Sequence, residues 1–115
     1  MPTIEEIEEL ENDTDLFLIK ETFERYSDAG EFLKFNRIPE SERLSGRPDL
    51  CAFIFLDKLF PSENGRDIIC GAEHDKIYLD VSNRQLLESD ITDEQILYLV
   101  RCGVCMDDEG LCMFA

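Results

Sequence analysis

Acidic side chains outnumber basic ones by 16 in this chain, with 27 Asp and Glu against 11 Lys and Arg. Because like charges repel one another in a compact state, a surplus of this size constrains both the fold and its partners. The negative field repels nucleic acids and anionic lipid surfaces, so we expect neither direct nucleic-acid binding nor membrane binding. The same field attracts proteins with basic surfaces.

The charge is unevenly distributed along the chain. Residues 1–31 carry 11 acids and 2 bases, residues 67–115 carry 11 acids and 3 bases, and the segment between them carries 5 acids and 6 bases. The acids are densest in a first predicted helix and at a last predicted turn. We predict that these two clusters bind a partner, through Glu5, Glu8, Glu9, Glu11, Asp13, Asp107, Asp108 and Glu109.

Two alternatives remain open at this stage. The acidic surface can serve solubility alone, because a net charge far from zero keeps small proteins apart. The basic middle segment either forms a separate anion site or neutralises nearby acids, through Lys34, Arg37, Arg43 and Arg47.

Length and apolar content predict one folded domain spanning residues 1–115. The chain is 43% apolar and contains eight Phe and three Tyr, which is enough for a single hydrophobic core without covalent cross-links. No Gly/Ser/Pro-rich linker divides it. The order of elements below predicts an α+β domain with three to five helices and two antiparallel β-hairpins.

The helical pattern begins with a capping box, in which Thr3 caps the first turn and Glu6 reaches back to it. The polar segment 12–15 is expected to interrupt or restart this helix. A second apolar stripe follows and ends near Gly30, formed by Leu16, Ile19, Phe23 and Tyr26.

Two further helices are predicted downstream. The apolar run 50–56 favours a buried helix that ends before Pro61, with a strand as the alternative. Thr92 and Gln95 form another capping box, and Gly103 ends the helix that they begin.

Strands are predicted at 68–70 and 77–81, joined by residues 71–76, and at 104–106 and 111–114, around a turn at 107–110. Residues 82–89 are expected to form a turn or a short helix.

The five cysteines suggest a reducing compartment. Their number is odd, and the N-terminus has neither the basic region nor the apolar core of a secretory signal. We therefore expect free thiols and a cytoplasmic protein. No apolar run approaches the roughly 18 residues that a membrane span requires.

Cys102 and Cys105 form a CxxC motif. Cys102 falls at the C-terminal end of a predicted helix, where the helix dipole raises a thiol pKa, and this argues against redox catalysis of the thioredoxin type. A structural zinc site is a second interpretation, with Cys102, Cys105, Cys112 and His74 as its four ligands. In the third interpretation these cysteines are small buried apolar residues. We expect no cofactor.

No phosphate-binding loop, nucleophile elbow, zinc-protease motif or dinucleotide fingerprint is present, so we expect a protein that is not an enzyme. In charge and size the chain resembles the phage-encoded inhibitors that block CRISPR complexes or restriction enzymes. Some of these inhibitors mimic DNA. This resemblance implies an inhibitor that occupies the basic nucleic-acid-binding surface of a partner protein. One alternative is a regulatory or adaptor protein that binds through apolar surface. The other is a zinc-stabilised domain.

Overall fold

A computed structural model describes residues 4–62, 65, 67–73 and 75–114, with side chains from Leu16 onward. Over these residues the chain forms four α-helices and four strands, which confirms the predicted α+β class. The elements are α1 (Ile4–Asp28), α2 (Pro48–Leu59), β1 (Ile69–Glu73), β2 (Lys76–Leu79), α3 (Asn83–Glu88), α4 (Asp93–Arg101), β3 (Val104–Asp107) and β4 (Gly110–Phe114), with short 3-10 turns at Phe35–Arg37 and Glu40–Glu42.

The two predicted hairpins are present and join into one antiparallel sheet with strand order β1-β2-β4-β3. The join is made by β2 and β4, where Tyr78 lies opposite Cys112. In the second hairpin Cys105 lies opposite Cys112 and Asp107 lies opposite Gly110. This register brings side chains from β2, β3 and β4 together on one face of the sheet.

The expected interruption of the first helix at residues 12–15 is wrong, because α1 is continuous from Ile4 to Asp28. The segment contains neither Gly nor Pro, and Asn, Asp and Thr each cost at most about 0.7 kcal/mol relative to Ala in a helix interior. The chain leaves α1 at Gly30, whose φ of +84° suits a residue without a side chain. The capping box predicted at Thr3 lies outside the described residues.

Local signals placed the later helices well. Residues 50–56 are helical, as predicted, and α2 ends at Leu59, before Pro61. Thr92 caps α4: its hydroxyl accepts the Gln95 amide at 3.2 Å, and the Gln95 side chain accepts the Thr92 amide at 2.9 Å. The ambiguous segment 82–89 contains a short helix, α3 (Asn83–Glu88), which Ser82 and Gln85 begin with a second such box.

The connection predicted at residues 71–76 is too long. Gly71 and Ala72 belong to β1 and pair with Tyr78 and Ile77. Strand pairing satisfies their backbone groups, which outweighs the turn preference of Gly. His74 lies outside the described residues.

The core is formed where α1 and α4 pack on β3, α3 packs on α1, and α2 packs on α4. Its largest fully buried side chains include Phe23, Ile38, Leu56, Leu86, Leu99 and Leu111. Strand β3 alternates between buried Val104 and Met106 and half-buried Cys105 and Asp107. Since successive residues of a strand point to opposite faces, Cys105 and Asp107 lie on the face away from Val104.

Candidate functional site

The turn between β3 and β4 carries three consecutive acids, and the side chain of the first, Asp107, lies against residues of β2. The Asp107 carboxylate accepts hydrogen bonds from the amides of Glu109 (2.8 Å) and Gly110 (3.2 Å), and from Tyr78 Oη (3.1 Å) and Lys76 Nζ (3.4 Å). Burial alone would raise the pKa of Asp107, but these hydrogen bonds outweigh burial and hold the pKa below its usual value. Asp107 therefore supports the turn rather than presenting a free charge.

The other two acids of the turn face solvent. The Asp108 side chain is 92% exposed and pairs with Lys20 on α1, and Glu109 is exposed. The hydrogen bond to Asp108 raises the pKa of Lys20, which favours the charged ammonium. This contact places the acidic turn beside the middle of α1.

The helix α1 carries the other predicted cluster. Its 25 residues span about 37 Å and contain ten acids and two bases. Asp13 precedes Lys20 by seven residues, or about 10 Å along the helix axis. The side chains of the predicted residues Glu5, Glu8, Glu9, Glu11 and Asp13 lie outside the described part, but their backbone belongs to this helix.

A groove of about 610 Å³ lies between α1 and the sheet. Its apolar lining comes from Phe23, Phe32, Met106 and Phe114, and its polar lining includes Lys76, Cys105 and Asp107 on the sheet and Glu24, Ser27 and Asp28 on α1. The groove therefore combines aromatic surface, one thiol and charges of both signs.

Two of the predicted metal-candidate cysteines form a close pair in this region. Cys105 and Cys112 face each other across β3 and β4, and their sulfur atoms are 3.0 Å apart. Cys112 is fully buried, whereas Cys105 is half-buried and lines the groove. The hydrogen bond with Cys112, helped by the nearby Lys76 ammonium, lowers the pKa of Cys105 despite partial burial. The same hydrogen bond and burial raise the pKa of Cys112.

Cys102 belongs to a different environment. It ends α4 as predicted, is fully buried, and contacts Cys51. Burial, and then the neighbouring Cys51, raise the pKa of Cys102 to about 12. The direction agrees with the prediction, but burial is the main cause rather than the helix dipole.

The proposed zinc ligands are thus separated, because Cys102 lies beside Cys51, which is not among them, whereas Cys105 and Cys112 lie beside each other. Among the residues that the structure describes, no three His, Cys, Asp or Glu side chains are grouped so as to hold a metal ion. The fourth candidate, His74, is not among them.

The basic segment is built into the fold through its neighbours. Glu31 accepts hydrogen bonds from Arg37 and from Arg101 Nε (2.8 Å), and these, the Arg101 bond first, lower the pKa of Glu31. Arg43 donates to the Ile38 carbonyl at 2.9 Å and lies over the Phe35 ring. Arg37 and Arg43 therefore neutralise an acid and hold a loop, which favours the second of the two interpretations of this segment.

Sequence reasoning missed Lys20, Lys76 and Tyr78, the residues that fix the acidic turn. Lys76 and Tyr78 alternate along β2, and this spacing is the signal that places them on one face.

No helix within the described ranges is long and apolar enough to cross a bilayer. No protein-family model, curated protein or solved structure matches the chain.

Proposed function

We propose that this protein is a non-enzymatic inhibitor that docks on the basic nucleic-acid-binding surface of a partner, as do the phage inhibitors of CRISPR complexes and restriction enzymes. Its docking surface is α1 together with the adjoining turn, which contributes Asp108 and Glu109. The observation that supports this proposal is the ion pair between Lys20 and Asp108, because it holds the acidic turn against α1, about 10 Å along the helix axis from Asp13, the nearest predicted residue of the other cluster.

The spacing of charge along α1 is suited to such a surface. Ten acids and two bases over about 37 Å correspond to one net negative charge per roughly 5 Å. One DNA strand carries a phosphate about every 3.4 Å along the helix axis. A groove whose cations are spaced for phosphates can therefore pair with several carboxylates of α1 at once.

Electrostatic docking of this kind is sensitive to salt, and this is the basis of the test. The protein is used to capture basic nucleic-acid-binding proteins from a lysate at low ionic strength, and the bound proteins are released by stepwise addition of salt. A purified partner is then mixed with labelled duplex DNA, and we expect this protein to displace the DNA.

A pair of neutralised variants assigns the surface. Glu9→Gln with Glu109→Gln removes one charge from each cluster and should weaken binding about two- to thirtyfold, since an exposed ion pair contributes roughly 0.2–1 kcal/mol. The matched control, Asp57→Asn with Asp90→Asn, makes the same change in charge at exposed sites on α2 and in the turn between α3 and α4. Equal weakening by both variants, or binding that survives high salt, would contradict docking through α1.

A second candidate function is an adaptor that binds through apolar surface, with the charge serving solubility. Two adjacent large apolar side chains of α1 favour it, because Phe17 is 64% and Leu18 is 52% exposed. An apolar complex would persist at high salt and would be lost in Phe17→Ala with Leu18→Ala. If the complex dissociates when salt is added and still forms with this variant, the adaptor function is excluded.

A further inference from the structure

The Cys105–Cys112 pair has the geometry of a dithiol that can close. Directly opposed residues of antiparallel strands have Cα atoms about 4.5–5.5 Å apart, within the 4.4–6.8 Å range of disulfides. The two sulfur atoms are already 3.0 Å apart, about 1 Å more than a covalent S–S bond. Closing the bond therefore needs small side-chain rotations rather than movement of the strands.

The two thiols differ in access. Cys105 is half-buried and opens into the groove, whose volume of about 610 Å³ is within the usual range of about 300–1,000 Å³ for small-molecule pockets. Cys112 is fully buried behind it. A small reagent can therefore reach Cys105 but not Cys112, and Cys112 lies where it can attack whatever Cys105 has bound.

The surroundings also favour Cys105 as the nucleophile. The attacking species in thiol–disulfide exchange is the thiolate. The two sulfur atoms are within hydrogen-bond distance, so the Cys112 thiol is placed to donate to a Cys105 thiolate. The Lys76 ammonium also favours negative charge on Cys105, although Asp107 opposes this. Cys102, buried beside Cys51, has no comparable stabilisation of its thiolate.

We propose that Cys105 and Cys112 are a redox-active pair that forms a reversible disulfide by exchange with a low-molecular-weight disulfide of the glutathione type. The Cys105 thiolate attacks one sulfur of the reagent, giving a mixed disulfide and releasing one thiolate. Cys112 loses its proton to the released thiolate or to water and attacks the Cys105 sulfur, which expels the second half of the reagent. In sum, two protein thiols are oxidised to one disulfide, and one reagent disulfide is reduced to two thiols.

The test uses the full chain with Cys70→Ser, which removes the exposed thiol of β1 and leaves four of the five thiols. After incubation with oxidised glutathione and unfolding in denaturant, which exposes the buried thiols, we expect two of the four thiols to be lost to maleimide labelling, with no glutathione retained. Cleavage before Asp107 and Asp108 by an Asp-specific protease separates Cys105 from Cys112, so the disulfide appears as two peptides that reduction releases. Fragment-ion sequencing of the linked peptides then shows whether Cys105 or Cys102, which share one peptide, forms the bond. The chain that retains Cys70 should form the same disulfide.

Single variants assign the roles. Adding Cys112→Ser, or Cys112→Ala if the serine variant does not fold, should trap one glutathione on Cys105. Adding Cys105→Ser should leave the buried Cys112 unmodified. Circular dichroism of each variant checks the fold.

Four free thiols after oxidation, a disulfide that includes Cys102, or no trapped adduct in a folded Cys112 variant would each overturn the proposal. None of these measurements requires a partner protein, so their failure is separate from failure of the docking proposal.

Discussion

Replacing Phe23 with Ala tests whether α1, the helix that carries most of the acidic surface, is held by the core. Phe23 is 1% exposed. Burying an aromatic side chain removes about 150–250 Å² from water, and at about 25 cal/mol per Å² this amounts to roughly 4–6 kcal/mol. Because the unfolded chain already hides part of that area, we expect a loss of about 3–5 kcal/mol in the free energy of unfolding.

Phe17→Ala is the matched control, since it makes the same chemical change in the same helix at a side chain that is 64% exposed. Both variants gain the same helix propensity, so the difference between them isolates burial. We expect Phe17→Ala to change the free energy of unfolding by less than about 1 kcal/mol. Urea titrations followed by circular dichroism measure both. A loss below about 1 kcal/mol for Phe23→Ala, or equal losses for the two variants, would refute the packing of α1 on the core.

Two further predictions concern capping and acid stability. Thr92→Ala removes the hydroxyl that caps α4 and should cost about 1 kcal/mol in urea titration, whereas an unchanged midpoint would mean that the capping box contributes nothing. Glu31→Gln should lower the free energy of unfolding at pH values above 4.5, the ordinary carboxyl pKa. The folded state holds the pKa of Glu31 below that value, so the ionised carboxylate stabilises the fold, and this stabilisation is lost as the pH falls through the folded pKa. The difference in unfolding free energy between Glu31→Gln and the unaltered chain should therefore shrink from pH 7 to pH 3, and a constant difference would count against the ion pairs of Glu31.

The features that sequence predicted well depend on neighbouring residues. The capping box of Thr92 and Gln95 and the hairpin around 107–110 are each complete within a few residues, so local chemistry determines them. The segment 12–15 misled because its turn-forming residues are tolerated inside a helix long enough to bury an apolar stripe. The packing of Phe23 stabilises the part of α1 that follows this segment, and the helix continues through the segment at a small cost in propensity.

The candidate site was harder to predict because it depends on the register of the strands and on how α1 packs against the sheet. The predicted turn already implies that Cys105 faces Cys112, since both lie two residues beyond its ends. Grouping Cys105 with Cys102 through the CxxC spacing hid that relation. The contact between Lys20 and Asp108 joins residues 88 positions apart and follows from how α1 packs on the sheet. No local pattern carries that information.

The placement of the bases explains how the fold tolerates its charge. Lys20 pairs with Asp108 where α1 meets the turn, Arg25 pairs with Asp93 where α1 meets α4, and Arg101 joins Glu31 to the end of α4. Each pair relieves repulsion at a contact between elements, where uncompensated acids would be most costly. Lys20, Arg25 and Arg101 are thus used where elements meet, whereas Arg84 pairs with Glu88 within α3. Adding salt should therefore weaken these exposed pairs while relieving repulsion elsewhere, so the stability of the fold should respond to salt far less than binding to a basic partner does.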